Sequence, residues 1–429
     1  MSPVYTPPRP PAGGQPPAPP SFFSTPLDLL GPCYHDLVGE PISLYLHIPF
    51  CTAKCGYCDF NSYAGRDHLI PSYVETLARE AQLWRSATAG REVTTVFFGG
   101  GTPSLVPREE LRTVIDALRS AFDLSPDAEM TLEANPGSLD EPYLRALLEV
   151  GFNRLSLGVQ SFHDDELRAL DRQHSADDAR EAFCAARRAG FDNVNLDLIY
   201  GLPEQPMERW QASLERALDL APEHLSLYAL TVEEGTPLAH HVAVGRVPAP
   251  DPDAQADQYE WTQERLAAAG YEHYEISNWA WPGHRCRHNL TYWRCGEYLG
   301  LGAGAHSYLG GVRFATAKLP DRYLALVDES WRAANEGDGS TPMRQVVSGE
   351  TITPELAMAD TLILGLRLIE GVSLASFRER HGVDALEAYG PALAEPFAHG
   401  LLERANERLR LTPRGRLLSN EVFTRLLPD

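Results

Sequence analysis

The sequence predicts an α/β protein, a partial (β/α)6 barrel of the TIM type followed by a C-terminal helical domain that resembles a winged helix. Two observations predict this fold. Short apolar runs alternate with amphipathic stretches from residue 41 to about residue 280, which is typical of βα units around a parallel sheet. From about residue 344 the pattern changes to successive helices with one short hairpin.

Six apolar runs are predicted as the barrel strands, at 42–48, 94–98, 129–133, 154–157, 193–199 and 224–230. The amphipathic stretches between them are predicted as helices, at 71–84, 108–122, 141–149, 176–189 and 207–219. Barrels of this type carry their chemistry on the loops that follow the carboxyl ends of the strands. We therefore expect functional residues directly after each apolar run.

Four segments are expected along the chain. Residues 1–40 are rich in Pro and bury too little apolar surface to order, so we expect a disordered extension. Residues 41–280 form the barrel core, and residues 281–343 form a connecting region with a Gly-rich stretch at 299–311. Residues 344–429 form the C-terminal domain, with helices at 355–368, 374–381, 384–399 and 414–426 and a hairpin at 401–411.

Charge limits the classes of partner. The chain has 37 basic and 59 acidic residues, a formal net charge of -22 that repels phosphate backbones, so nucleic acid is not expected as a partner. The winged-helix-like domain is accordingly expected to pack or dock against protein. No apolar run approaches the roughly 20 residues that span a bilayer, and the N-terminus lacks a secretory pattern, which predicts a cytoplasmic protein.

Three of the seven cysteines crowd together directly after the first predicted strand, at Cys51, Cys55 and Cys58. Clustered cysteines in a cytoplasmic protein indicate a metal site. Three thiolates can hold a [4Fe–4S] cluster while one iron stays open to a chelating ligand. The alternative is a closed zinc site, with His47 or a distant cysteine as the fourth ligand.

This motif resembles the radical SAM superfamily, in which the open iron chelates S-adenosylmethionine (SAM) and the cluster supplies an electron that cleaves it. Further motifs follow the later strands, beginning with Gly99-Gly-Gly101-Thr102-Pro and Glu133-Ala-Asn135-Pro. Together they resemble the oxygen-independent coproporphyrinogen III oxidases and the haem chaperones of the HemW type. That resemblance implies that Tyr45, Gly100 and Glu133 contact the cluster-bound SAM. The resemblance further implies a set of residues at positions that contact a second SAM in the oxidases. They are Tyr57, Gly101, Thr102, Gln160, Arg172, Asp197 and Ala229. Either one or two SAM molecules stay possible for this chain.

Two features separate oxidase from chaperone. In the oxidases one residue and a further cysteine follow the cluster motif, whereas here Asp59 and Phe60 follow. The segment from His288 to Trp293 resembles the HNxxYW motif of the chaperones. That resemblance implies that the His288 imidazole ligates haem iron and that Tyr292 and Trp293 offer aromatic faces. His288 could also be an ordinary polar residue, and Cys286 and Cys295 leave thiolate ligation open.

The predicted function is therefore a haem chaperone that uses a [4Fe–4S] cluster and SAM. Its expected partners are haem, a haem-recipient protein and an electron donor such as a reductase or ferredoxin. No residue is assigned a catalytic role, and SAM cleavage is expected without coproporphyrinogen oxidation. Two alternatives stay open, an anaerobic coproporphyrinogen III dehydrogenase and an iron–sulfur scaffold that binds SAM without cleaving it.

Overall fold

A computed structural model describes residues 39–336 and 343–428. The predicted Pro-rich extension lies outside these residues except for its last two positions, and Cys33 lies outside them entirely. The described chain divides into two compact units. The first unit comprises residues 39–255, 297–336 and 343–351, and the second comprises residues 256–296 and 352–428. The predicted connecting region, 281–343, is thus shared between the two units.

Helices and strands alternate in the amino-terminal half of the chain. In chain order they are β1 (Ile42–Ile48), β2 (Phe50–Cys51), β3 (Tyr63–Ala64), α1 (Ile70–Trp84), β4 (Glu92–Gly100), α2 (Arg108–Ala121), β5 (Asp123–Ala134), α3 (Glu141–Val150), β6 (Arg154–Gln160), α4 (Asp164–Ala169), α5 (Ala176–Ala189), β7 (Val194–Tyr200), α6 (Met207–Asp219), β8 (His224–Ala229) and α7 (Pro237–Ala243).

The rest of the chain is less regular. Its elements are α8 (Pro252–Ala268), β9 (Glu272–Glu275), β10 (Asn278–Ala280), α9 (Arg287–Trp293), β11 (Tyr298–Leu301), β12 (His306–Leu309), β13 (Val312–Thr316), α10 (Pro320–Glu336), β14 (Val346–Thr351), α11 (Pro354–Gly365), β15 (Val372–Ser373), α12 (Leu374–His381), α13 (Ala385–Ala388), α14 (Gly390–Ala398), β16 (Leu402–Ala405), β17 (Arg408–Leu411), α15 (Pro413–Leu417) and α16 (Ser419–Phe423).

The main sheet of the first unit confirms the predicted α/β barrel strands. Its strands lie in the order β14-β13-β12-β11-β1-β4-β5-β6-β7-β8. Neighbours from β11 to β8 are parallel, and β12 to β14 continue the sheet in antiparallel pairing. Strands β6 and β7 are buried along their whole length, although polar side chains interrupt their sequences at Arg154, Ser156, Gln160, Asn195 and Asp197.

Strand β11 was not predicted, because it lies in the Gly-rich stretch. It pairs in parallel with β1, with Tyr298 opposite Ser43. A Cβ atom on Gly300 would lie 2.1 Å from the carbonyl oxygen of His306, so the close approach of the next strand requires glycine there. Glycine has a low strand propensity, and it therefore hides this strand from sequence patterns.

The second unit has its own apolar core, formed mainly by helices α11 to α16 and the small sheet β15-β17-β16. The predicted hairpin is confirmed, with Asn406 and Glu407 at φ of 50° and 58° in the turn between β16 and β17. The predicted helices 384–399 and 414–426 are each divided. The first division falls where Pro391 occupies the first turn of α14, a position that proline favours, and the second falls at Leu418, between α15 and α16.

The loops at the site are held at fixed places by well-capped helices. Helix α3 begins at Asp140, whose carboxylate accepts from the Tyr143 amide, and α5 begins with a capping box of Ser175 and Asp178. Both helices end at left-handed glycines, Gly151 and Gly190. Over the described residues, no helix combines the length and the apolar character that a bilayer span requires.

Candidate cluster and cofactor site

The three cysteines lie on a loop that starts and ends at one place in the first unit. Strand β2 carries Cys51 and pairs with β3, so the chain returns to its starting point after the loop. The Tyr63 amide donates to the Pro49 carbonyl at 2.7 Å, which closes the base. Inside the loop, the Lys54 ammonium donates to the Phe60 carbonyl at 3.0 Å. The loop is therefore a fixed frame for the thiols.

The thiols of this loop are half-buried and form no disulfide. Burial raises the pKa of the Cys51 and Cys58 thiols, so their thiolates need a cationic partner. A bound metal would supply such a partner, since a coordinating thiol loses its proton. Within the described chain, no three His, Cys, Asp or Glu side chains converge on a point where a single ion could bind.

His47, considered from the sequence as a zinc ligand, is held by hydrogen bonds on both ring nitrogens. Its Nε2 lies 2.8 Å from the Asn61 carbonyl oxygen, and its Nδ1 lies 3.0 Å from the Tyr45 hydroxyl. Burial lowers the pKa of His47 to about 4, so the ring is neutral at physiological pH. His47 links strand β1 to the far side of the cysteine loop.

The glycine turn after β4 lies directly against the cysteine loop. The Gly101 amide donates to the Ile48 carbonyl and the Thr102 amide donates to the Phe50 carbonyl, both at 2.8 Å. A Cβ atom on Gly101 would lie 2.5 Å from the Phe50 carbonyl oxygen and 3.0 Å from the Cys51 sulfur. Only glycine allows this approach, so the turn and the loop form one unit.

Tyr45, Gly100 and Glu133 are gathered beside this turn. The Gly100 amide donates to the Glu133 carboxylate at 3.2 Å. A Cβ atom on Gly99 would lie 3.1 Å from both the Glu133 carboxylate and the Tyr45 ring. Burial, together with the nearby charge of Asp197, raises the pKa of Glu133 to about 7. The Gly100 amide thus holds the Glu133 carboxyl beside the glycine turn, next to the Tyr45 ring.

Thr102 and Arg172 reach the thiols themselves. The Thr102 hydroxyl lies 3.6 Å from the Cys51 sulfur, and a guanidinium nitrogen of Arg172 lies 3.6 Å from the Cys55 sulfur. Asn135 joins the two, because its amide contacts the Thr102 hydroxyl at 2.9 Å and Arg172 at 2.5 Å. Sequence reasoning assigned no role to Asn135, although its place directly after β5 is a position where barrels carry functional residues.

The remaining predicted contacts of a second SAM line the same edge of the sheet. Gln160 ends β6 at a φ of 67°, and its amide nitrogen and the Arg172 guanidinium both lie close to Gly158. Tyr57 packs against an apolar cluster formed by Leu170, Ile199, Leu202 and Leu230. Ala229 ends β8 opposite Tyr200, next to that cluster.

Asp197 lies deeper, on β7, where it is buried. Its carboxylate accepts from the Ser156 hydroxyl at 3.1 Å and from the Asn195 amide at 2.8 Å. The same Asn195 contacts His224 and Ser226 on β8, so the network joins three strands. The influence of Asp197 on the pKa of Glu133 connects this interior network to the site.

His288 lies in the second unit, on helix α9, and is 1 % exposed. Its Nε2 lies 2.8 Å from the Tyr292 hydroxyl, one turn along the helix. Trp293 is 2 % exposed, with the Arg367 guanidinium 4.4 Å above its ring. Trp293 is therefore a core residue of the unit and offers no open face to a porphyrin. Cys286 is buried before the helix, and Cys295 follows it at a φ of 51°.

The residues of the first unit fit a three-thiolate cluster with SAM on its open iron. Three half-buried thiols point to a soft metal centre. The side-chain-free turn at Gly100 and Gly101 leaves backbone within reach of a ligand. The Nε of Arg172 is buried and has no hydrogen-bond partner among the described residues. Because the guanidinium is a cation, this N–H group suits the carboxylate of a ligand.

Two family models match the chain. Residues 45–217 match the radical SAM superfamily, and residues 352–418 match the HemN C-terminal domain. The first match covers the strands and loops that build the site described above. The second covers most of the carboxyl-terminal part of the second unit.

Several curated proteins are similar over nearly their whole length. The chain is 39% identical to heme chaperone HemW of Mycobacterium tuberculosis (strain H37Rv), over 95% of this chain and 99% of that protein. It is 37% identical to heme chaperone HemW of Bacillus subtilis, over 90% and 99%. Among solved structures, coproporphyrinogen III oxidase (HemN) from Escherichia coli, a radical SAM enzyme, matches with a TM-score of 0.75 and 25% identity over 90% of both chains.

Proposed function

This chain belongs to the HemW family of radical SAM proteins, and on that premise we propose that it binds haem and transfers it to a haem-dependent protein. The family expected from the sequence is thereby confirmed. The observation that carries the proposal is the identity of 39% with a heme chaperone over 99% of the length of that relative. Identity to the solved oxidase is lower, at 25%.

Cys51, Cys55 and Cys58 would hold the [4Fe–4S] cluster. When bound and reduced, such a cluster supplies the electron that cleaves SAM. Glu133, which the Gly100 amide holds in place, would bind the amino group of SAM, and Arg172, whose guanidinium reaches the Cys55 sulfur, would pair with a carboxylate. Asn61 supports the cysteine loop, since its side chain donates to the carbonyls of Ala303 and Lys318 at 2.9 and 3.0 Å.

Haem ligation by His288 requires a local rearrangement. Its Nε2 is paired with the Tyr292 hydroxyl and the ring is buried, so ligation of iron through Nε2 would displace that hydroxyl. A porphyrin also buries a large apolar face, which stabilises a complex independently of ligation. We therefore assign His288 to ligation and Tyr292 to a contact that haem displaces.

The proposed partners follow from this chemistry. A haem-recipient protein takes the cargo, and a reductase or ferredoxin supplies electrons to the cluster. We propose a cytoplasmic location. The formal charge of -22 disfavours nucleic acid as a partner because like charges repel.

One experiment separates the chaperone from the oxidase. The reconstituted protein would be incubated anaerobically with coproporphyrinogen III, SAM and dithionite, and separately loaded with haem and mixed with apomyoglobin as the acceptor. We expect haem transfer and no protoporphyrinogen IX. A Cys51→Ser variant controls for reactions that need no cluster. Conversion of coproporphyrinogen III by the wild type, but not by this variant, would contradict the proposal.

A further inference from the structure

We propose that Asn135 is a positioning residue that directs two hydrogen bonds at cluster-binding thiolates and thereby raises the reduction potential of the cluster. The inference deepens the proposed function and rests on the three-thiolate cluster. The structure shows a continuous path from one sulfur to another: Cys51 to Thr102, Thr102 to Asn135, Asn135 to Arg172, and Arg172 to Cys55.

The chemistry of Arg172 fixes the orientation of the Asn135 amide. A guanidinium has only donors, so the atom of Asn135 that faces it at 2.5 Å must be the carbonyl oxygen. The NH2 group of the same amide must then face the Thr102 hydroxyl at 2.9 Å. The positions of the oxygen and the nitrogen in the Asn135 side-chain amide therefore follow from the hydrogen-bonding groups around it.

The orientation of the Asn135 amide determines the direction in which the Thr102 hydroxyl donates its hydrogen. An NH2 group only donates, so the Thr102 oxygen must accept from Asn135, and its single hydrogen is available for another partner. The Cys51 sulfur lies 3.6 Å from the hydroxyl oxygen. Thr102 is 3 % exposed, so little water can compete for this hydrogen. Asn135 thus makes Thr102 a donor to the Cys51 sulfur.

Asn135 also orients the second donor, but it shares this task. One Nη of Arg172 is held by the Asn135 oxygen and, at 2.8 Å, by the Gly158 carbonyl oxygen. The other Nη is then directed at the Cys55 sulfur. Since Gly158 continues to hold Arg172 when Asn135 is removed, the Cys51 side should respond more strongly than the Cys55 side.

Hydrogen bonds to the sulfurs affect the potential of an iron–sulfur cluster through charge. Reduction adds one negative charge to the cluster and its thiolates, and donors that point at the sulfurs stabilise that charge. Removing a donor therefore favours the oxidised state and lowers the potential. Because Thr102, Asn135 and Gly158 follow or lie on three neighbouring strands, the sheet holds this arrangement in place.

The test is a redox titration of the reconstituted full chain, with the reduced cluster followed by electron paramagnetic resonance. We expect Asn135→Ala to retain about four irons per chain and to shift the equilibrium toward the oxidised cluster by about tenfold, or about 59 mV for one electron. Thr102→Val should give a similar shift. The double variant should shift little further than Asn135→Ala alone, because both substitutions act mainly on the hydrogen bond from Thr102 to the Cys51 sulfur.

A matched control is Asn153, whose side chain also joins β5 to the start of β6. It accepts from the Met130 amide and donates to the Ala128 carbonyl, both at 2.8 Å, at the opposite end of these strands from the site. Asn153→Ala should lower the stability of the protein and leave the cluster potential unchanged. Asn135→Gln, which keeps the amide, should recover part of the potential lost in Asn135→Ala.

A wild-type potential in Asn135→Ala with its full iron content would overturn the inference. If Asn135→Ala loses its cluster, the comparison of Thr102→Val with Thr102→Ser decides, since only serine keeps the hydroxyl. Equal potentials in those two variants would also overturn it. Failure of the wild type to assemble a cluster would refute the proposed cofactor and the inference together, whereas an unchanged potential refutes the inference alone.

Discussion

Glu133 is the residue whose protonation should control SAM binding. Its pKa of about 7 leaves the carboxyl mostly neutral at pH 6 and mostly ionised at pH 8. Only the ionised form accepts strongly from an ammonium group, so SAM affinity should rise by about tenfold between pH 6 and pH 8 on this account. Calorimetric titration of the cluster-containing protein with SAM at both pH values measures this change in affinity.

Glu133→Gln provides the control for the protonation of SAM itself. The variant should bind SAM more weakly at pH 8, by roughly tenfold to a hundredfold, because it lacks the charge-assisted hydrogen bond. Its remaining pH dependence then reports on the ligand alone. Identical slopes for the variant and the wild type would show that Glu133 does not titrate in binding.

His288 and Tyr292 should have opposite effects on haem. Haem bound to the wild type should show a shifted Soret band that His288→Ala alters, since ligation gives a defined spectrum. Tyr292→Phe removes the hydroxyl that the iron displaces and should strengthen binding by about twofold to tenfold. Absorbance titration with haem measures both. Cys286→Ala should leave the band unchanged, and a band altered only in that variant would indicate a thiolate ligand.

At the scale of elements, the contact between the glycine turn and the cysteine loop should decide cluster assembly. Gly101→Ala places a Cβ atom against the Phe50 carbonyl and the Cys51 sulfur, and neither backbone can move without breaking two hydrogen bonds. We expect loss of most of the about four irons per chain after reconstitution. Iron and sulfide analysis measures this loss.

Gly390→Ala is the matched control for this substitution. A Cβ atom there meets nothing within 4 Å, and the residue begins helix α14. Alanine favours a helix more than glycine does, so the variant should keep its full iron content and its stability. Normal iron in Gly101→Ala would show that the turn and the loop can separate.

At the scale of the whole molecule, buried titratable groups should give stability two opposing responses to acid. Burial lowers the pKa of His174 to about 4 and raises the pKa of Glu80 to about 7. As the pH falls below about 6.5, the unfolded chain protonates its histidine first, which removes stability. Glu80 acts oppositely, because the folded state takes up its proton first and gains stability.

Single substitutions should separate the two responses. Between pH 7 and pH 5, His174→Gln should lose about 2 kcal/mol less free energy of unfolding than the wild type, and Glu80→Gln about 2 kcal/mol more. Denaturant titrations of the metal-free protein at both pH values measure this difference. Profiles parallel to that of the wild type would show that neither group titrates with the assigned pKa.

Periodicity and spacing in the sequence determined the barrel strands and the cysteine motif. The runs that became β1 and β4 to β8 are rich in apolar residues because both faces of the parallel sheet are largely buried, so a local pattern is enough to find them. The cysteines were found for a similar reason, since cluster ligands on one loop have a fixed spacing. The family resemblance rested on these local signals, and the comparisons confirmed it.

Only the tertiary structure decided which residues far apart in the sequence form hydrogen bonds, pair as strands or pack together. Asn135 acquires a role because β4, β5 and β6 bring Thr102 and Arg172 to its two sides, over separations of 33 and 37 residues. Strand β11 exists because β1 offers it an edge, although Gly300 within it disfavours a strand locally. The burial of Trp293 beneath Arg367 likewise depends on packing within the second unit. Local sequence records propensity, whereas pairing, burial and hydrogen-bond direction arise when the chain folds back on itself.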